Sequence, residues 1–250
     1  MLYIRMVVMM LITLYTSRIV LDTLGIEDYG IYNIIGGVVI MFSFINVTLT
    51  IAIRRFLSVA LAAQDQSRFI EVLRASVLAV FIASIIIVIG LETIGLWLLN
   101  NKISIPAERM YAANCTFQFS ILAFLCNINS VPYNSAIVSC ERMKVYTYIG
   151  IVESFLKLGL ILLLPLYEAD KLIVYSIMIF VIAISIFSFN NGYCYFKIAR
   201  IRNFFKAKAE DIVAIFNFSA WSVLGSIVLM LATQGVNIII NIFFGVTLNA

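Results

Sequence analysis

Apolar residues run along this chain in seven long blocks, roughly 2–24, 29–57, 70–98, 110–138, 146–166, 171–196 and 212–244, with short polar breaks between them. About 20 apolar residues carry a helix across the hydrocarbon of a bilayer. Each block therefore predicts a spanning helix, and the longer ones predict tilt or projection beyond the lipid. The breaks are short enough to make helical hairpins, and strands are not expected, because an open sheet edge cannot be satisfied in lipid. The pattern predicts an all-α fold, a polytopic membrane helix bundle.

The first break is the most informative. Gly25 can take a left-handed conformation that closes the helix ending at Leu24. Glu27 and Asp28 then fall where a second helix begins, and acidic groups suit that end of the dipole. Tyr29 and Tyr32 are placed as interface anchors. Gly30, Gly36 and Gly37 predict close approach of a neighbouring backbone.

Composition agrees with the pattern. The 250 residues are 63% apolar and 12% charged, against about half apolar and about a quarter charged in soluble domains, so no sizeable soluble domain is expected. The first helix reads as an uncleaved start signal, without the small-residue cleavage site of a secretory leader. His is absent, and Cys115, Cys126, Cys140 and Cys194 lack metal-ligand spacing, so they read as buried small hydrophobes. No Gly-rich phosphate loop and no Ser/His/Asp set occurs. A membrane glycosyltransferase or polymerase needs acidic or His groups on a large loop, and the stretch around Leu99–Arg109 is short with one acid, Glu108. The expectation is a protein that is not an enzyme, needs no cofactor and binds no nucleic acid.

The net charge of +4 matters less than where the cations fall. One set of breaks holds Arg54, Arg55, Arg68, Arg74, Arg142, Lys144, Lys197, Arg200, Arg202, Lys206 and Lys208, with Arg5 at the same end; the other holds Lys102, Arg109 and Lys171. Twelve against three predicts a cytosolic N-terminus, because basic loops stay inside. The stretch 197–211 carries the longest basic run, with Phe204 and Phe205 among the cations, and reads either as an amphipathic linker on anionic headgroups or as an ordinary inside loop. Ile19–Ile26 and Ile239–Val246 end in Gly25 and Gly245 in the same register, six helices apart, as in transporters built from two related bundles. The expected organisation is a six-helix lobe over 1–196, a basic cytosolic linker over 197–211, and the first helix of a truncated second lobe over 212–250.

Several stretches resemble a known family. Leu14-Tyr-Thr-Ser-Arg18, Leu24-Gly25-Ile-Glu-Asp-Tyr-Gly30-Ile-Tyr-Asn33, Ile105-Pro-Ala-Glu-Arg109, Val131-Pro-Tyr-Asn134 and Glu153-Ser-Phe-Leu-Lys157 are similar to bacterial lipopolysaccharide and polysaccharide biosynthesis proteins. These are the Wzx-like flippases of the multidrug/oligosaccharidyl-lipid/polysaccharide exporter superfamily. The resemblance spans essentially the whole chain, with the turn pattern LG-x-x-x-YG-x-Y as its most specific part. It implies two six-helix lobes that alternate access across a central cavity. The implied cargo is an undecaprenyl-diphosphate-linked oligosaccharide, moved between leaflets of the cell inner membrane. The implied partners are that lipid-linked oligosaccharide, membrane lipids and polysaccharide polymerase machinery. The chain departs from the family in its short segment before the first helix and in having about seven helices where 12 to 14 are usual.

Charges inside the membrane cost at least about 2.5–3.5 kcal/mol at its centre, so each asks for a reason. Lys157 lies about 16 Å into the fifth helix, and Glu153 precedes it by one turn. The two read either as a pair that joins helices or as a cavity cation with a proton-coupling carboxylate. Arg18, about 10 Å from the outer end of the first helix, can pair with Asp22 or snorkel outward; the resemblance implies a cavity role instead. Arg54 and Arg55 point about 100° apart, so one can face a diphosphate while the other anchors; Ile53-Arg-Arg-Phe56 resembles the arginine pair of related lipid flippases. Glu92 can simply reach water. Gln118, Asn127, Asn129 and Asn134 mark one helix with a kink expected at Pro132, and Gln118 and Asn129 share a face. Asn33 and Asn46, and Gln234, Asn237 and Asn241, add amides that bond either sugar hydroxyls or neighbouring helices. The expected substrate-binding set is Arg18, Arg54, Arg55, Lys157, Gln118 and Asn134, with Glu153 and Asp22 as coupling candidates. A multidrug exporter and an inactive half-transporter are the alternatives.

Overall fold

The computed structural model describes residues 2–40, 42–101, 103, 105–167, 169–199, 207–223 and 225. Among them every regular element is helical: α1 (Leu2–Ile40), α2 (Ser43–Ala62), α3 (Gln66–Gly90), a π-helical turn (Leu91–Gly95), α4 (Leu96–Asn101), α5 (Met110–Asn129), α6 (Val131–Ser139), α7 (Met143–Leu163), α8 (Lys171–Lys197), and a further helix α9 over 209–223. Among the described residues six helical stretches are long and apolar enough to cross a membrane: Met9–Val39, Ser43–Ala62, Gln66–Asn101, Ala107–Ser139, Met143–Leu166 and Lys171–Lys197. They mark the chain as a membrane protein with an all-α fold.

The boundaries differ from the sequence pattern in two places. α1 is two helical segments meeting at Gly25, whose φ of 79° is the expected positive value, while its ψ of 170° is extended rather than left-handed helical. The expected second span, 29–57, is divided near Phe42. Phe42 donates to the Val39 carbonyl (3.1 Å) and accepts from the Ile45 amide (3.2 Å), so a tightened turn leads into α2. Of the seventh expected span, α9 covers the start. The remainder, with Gln234, Asn237, Asn241 and the end at Gly245, lies outside the described residues, as do Lys102, Arg200, Arg202, Phe204, Phe205, Lys206 and the Arg5 side chain.

Local chemistry explains the other ends. Asp65 caps α3 by accepting from the Arg68 amide (3.0 Å) and the Ser67 hydroxyl (2.6 Å); Asp170 caps α8 through the Leu172 amide (3.1 Å). The tight turns before α3 and α7 place Gln64 (φ 54°) and Glu141 (φ 57°) in the left-handed region that glycine prefers. Pro132 has no amide to bond back into the helix, and α5 gives way to α6 at Ser130, two residues before it.

In lipid, helices associate through close packing and polar contacts rather than the hydrophobic effect. α5 packs along α8, α1 along α7 and α5, and α2 along α6 and α3. Small residues make this possible: Ala75, Ala79 and Ala83 on α3 and Ala112, Ala113 and Thr116 on α5 are buried at helical spacing. A Cβ placed on Gly95 would stand 2.6 Å from Phe117, the largest fully buried side chain. Gly30, Gly36 and Gly37, the positions expected to admit a neighbour, have nothing within 4 Å of an added Cβ among the described residues.

Polar contacts define the two ends of the bundle. At one end Arg109 binds Asp28 and Asp170 (Nη1–Oδ2 2.7 Å), which ties together the break after Gly25 and the turns before α5 and α8. Asp28 is buried, so it is a partner for Arg109 as well as a carboxylate near a helix start. At the other end a cleft of ≈ 530 Å³ is lined by Gln64, Asp65, Cys140, Arg142 and Lys197, gathering the turns after α2, α6 and α8. There α9 is clasped to α3: Arg68 holds Asp211 (Nη1–Oδ2 2.8 Å) and Glu71, and Lys208 holds Glu71 (2.9 Å). The turns thus alternate between ends as the sequence pattern requires, and the basic residues collect at the α9 end.

Candidate functional site

A polar cleft of ≈ 350 Å³ opens between α2, α5, α6 and α7. Asn46, Thr50 and Arg54 recur every four residues on α2, so they descend one face of it. Asn127 lies in the last turn of α5, Asn134 sits one turn into α6 beyond Pro132, and Tyr146 lies one turn into α7. Arg54 stands about 12 Å from the Ala62 end of α2, so the cleft belongs to the half of the bundle nearest the basic turns. Asn127 and Asn134 are seven residues apart, two helical turns, so they keep one face across the break at Ser130 and both line the cleft from what the sequence reads as one span.

Among the described residues, two polar atoms in this cleft have no partner. The Arg54 Nε–H and the Asn134 Oδ1 are both buried without a hydrogen bond, and no carboxylate among the described residues lies within 4.0 Å of Arg54. A buried donor or acceptor left unmade costs about 1–3 kcal/mol, more for a charged group. By contrast, Thr50 is satisfied locally through the Asn46 carbonyl (2.7 Å). The cleft thus presents a cation and amide groups in a low-dielectric wall, an arrangement suited to a phosphate beside hydroxyls.

The other expected residues are distributed around this cleft. Arg55 is exposed and lies over the ring of Phe218 on α9, 4.4 Å from its centroid, so the two arginines diverge as helical geometry demands. Glu153 and Lys157 fall within about 20° of Tyr146 on the surface of α7, two and three turns farther along, which aligns them above the cleft. They form no ion pair: Lys157 is exposed and Glu153 half-buried. Arg18 and Asp22 do not pair either. Thr16, Val20 and Leu24 are the buried stripe of that segment, so Arg18 and Asp22, two residues out of step, point away from the described bundle.

Gln118 does not reach the cleft. Its Nε2 donates to Glu92 Oε2 (3.2 Å), and Glu92 sits in the π-helical turn that interrupts the third span. Asn129, expected to share its face, lines a separate cavity of ≈ 340 Å³ with Tyr133, Phe187 and Asn191. Sequence reasoning missed two polar cleft residues, Thr50 and Tyr146. Their spacing carries the signal: Thr50 falls midway between Asn46 and Arg54, and Tyr146 is in phase with Glu153 and Lys157. Comparison of the chain with protein-family models, with curated proteins and with solved structures finds no match.

Proposed function

We propose that this protein is a Wzx-like flippase lobe of the multidrug/oligosaccharidyl-lipid/polysaccharide exporter type. It takes an undecaprenyl-diphosphate-linked oligosaccharide from the cytosolic leaflet of the cell inner membrane, with the N-terminus and the basic turns facing the cytosol. The observation that carries this reading is the unpartnered pair Arg54 Nε and buried Asn134 Oδ1 in one polar cleft near the basic end. A diphosphate cannot cross hydrocarbon uncompensated. Arg54 would replace part of its hydration, and Asn46, Asn127 and Asn134 would meet sugar hydroxyls. Lys157 and Glu153 continue the polar face of α7 along the path the head group would take, with Glu153 as the coupling carboxylate on that path; Asp22, the other candidate, points away from the described bundle. Arg54 in the cleft wall repels the cationic drugs that a multidrug exporter would carry.

The test is photocrosslinking in proteoliposomes with an undecaprenyl-diphosphate disaccharide bearing the label beside the diphosphate. Label on α2 and α6 around Arg54 and Asn134, lost in Arg54→Ala, is the expected result. Equal labelling by the corresponding undecaprenyl alcohol removes the diphosphate from the account.

A further inference from the structure

A second site lies on another side of α7. Val145, Tyr148, Val152 and Leu156 recur at helical spacing and face Ser185, Ile186, Phe189 and Tyr193 of α8, enclosing an apolar groove of ≈ 380 Å³. Val145 lies about 100° around the helix from Tyr146, so this groove and the Arg54 cleft do not share a wall of α7. Tyr148, Val152 and Phe189 are more than half exposed. The groove extends about 16 Å from Val145 to Leu156, most of the length of one acyl chain.

The end of the groove carries fixed charge. Tyr193 closes it, and Arg142 donates from Nη1 to the Tyr193 hydroxyl (2.9 Å) with the guanidinium 5.8 Å from the ring centroid. Arg142 lies in the short turn between Ser139 and Met143, which joins two helical stretches long and apolar enough to cross a membrane. A guanidinium carries five N–H donors, so one bond to Tyr193 leaves donors to spare. Lys197 follows Tyr193 by one turn and shares a cleft with Arg142; Lys144 is exposed at the start of α7. Two acids lie near: Asp65, which is committed to Ser67 and the Arg68 amide, and Glu141, which is exposed and forms no ion pair among the described residues.

We propose that the α7–α8 groove is a binding site for an anionic phospholipid of the bilayer, with one acyl chain along Val145–Leu156 and the phosphate on Arg142. Charge complementarity selects this occupant: an apolar slot that opens beneath a tethered guanidinium and two lysines matches a lipid tail under a negative headgroup. Tyr193 orients the guanidinium for it, and Lys197 adds a second cation.

The test is native mass spectrometry of the purified chain, delipidated in detergent and titrated with dioleoyl phosphatidylglycerol or dioleoyl phosphatidylcholine. Retention of the phosphatidylglycerol should exceed that of the phosphatidylcholine more than about fivefold, since about 1 kcal/mol per basic residue gives about fivefold for Arg142 alone and Lys197 adds to it. Arg142→Ala should lower that ratio about fivefold. Val152→Trp, which fills the groove and leaves Arg142 in place, should lower retention of both. Equal retention by the unaltered chain, a preference undiminished in Arg142→Ala, or retention untouched by Val152→Trp overturns the proposal.

Discussion

Arg109 grips Asp28 from 81 positions away, its Nε donating to Oδ1 at 2.8 Å and its Nη2 to Oδ2, while Nη1 reaches Asp170. One guanidinium thereby locks three chain reversals at one end of the bundle. The Asp28 carboxylate is buried, with a side-chain exposure of 9%. Removing its partner leaves an uncompensated charge, whereas neutralising the acid does not.

Arg109→Ala should therefore destabilise the fold by about 2–3 kcal/mol, below the cost of a fully buried pair because Arg109 itself is partly solvated. Asp28→Asn should cost less. Thermal unfolding of the purified chain in detergent checks this, and equal losses for the two variants would contradict it.

Gly25 separates torsion from space. A Cβ there would meet nothing within 4 Å, yet φ is 79°. Gly25→Ala should lower stability by about 1–3 kcal/mol through backbone strain alone, because φ 79° with ψ 170° is open essentially to Gly. The reverse change, Glu141→Gly at φ 57°, should raise stability by about 1 kcal/mol. The same unfolding measurement reads both, and a stabilising Gly25→Ala would show that the turn is not as described.

Asp65 titrates at the start of α3. The Ser67 hydroxyl, then the Arg68 amide, favour its ionised form and hold its carboxyl below the usual value. Its contribution is therefore present above the ordinary aspartate range and lost as pH falls through the lowered value. Ser67→Ala should move the Asp65 titration upward by NMR; a downward move would contradict the cap.

The helix over 209–223 rests on a buried stripe of Asp211, Ile215 and Ser219, with Asp211 held by Arg68 and Phe218 under Arg55. Asp211→Asn should speed amide hydrogen exchange across 209–223 and leave α5 unchanged. Exchange that stays constant would mean that the clasp contributes nothing to docking.

Much of this architecture is legible in the sequence because a bilayer imposes length and apolarity on every span. The alternation of turns is legible too, since cations gather at one end. The break at Gly25 follows from residue type, but the division at Phe42 does not, because 39–45 is apolar except for Ser43, and one serine does not end a helix. Close packing was expected at Gly30, Gly36 and Gly37 and is found instead at Gly95 and along Ala75, Ala79 and Ala83: small residues mark where helices can meet, not which of them do. At the cleft, helical phase separates Arg54 from Arg55 correctly. It does not foresee that Gln118 bonds Glu92, because the π-helical turn that presents Glu92 leaves no mark in the apolar pattern of 70–98.

The central claim is that Arg54 waits unpaired for a phosphate. Binding of undecaprenyl diphosphate to the purified chain, compared between the unaltered protein and Arg54→Ala, tests it most directly. A charge-assisted hydrogen bond of about 1.5–3 kcal/mol predicts an affinity lowered at least about tenfold, with undecaprenyl alcohol unaffected. An unchanged Kd for the diphosphate would contradict it.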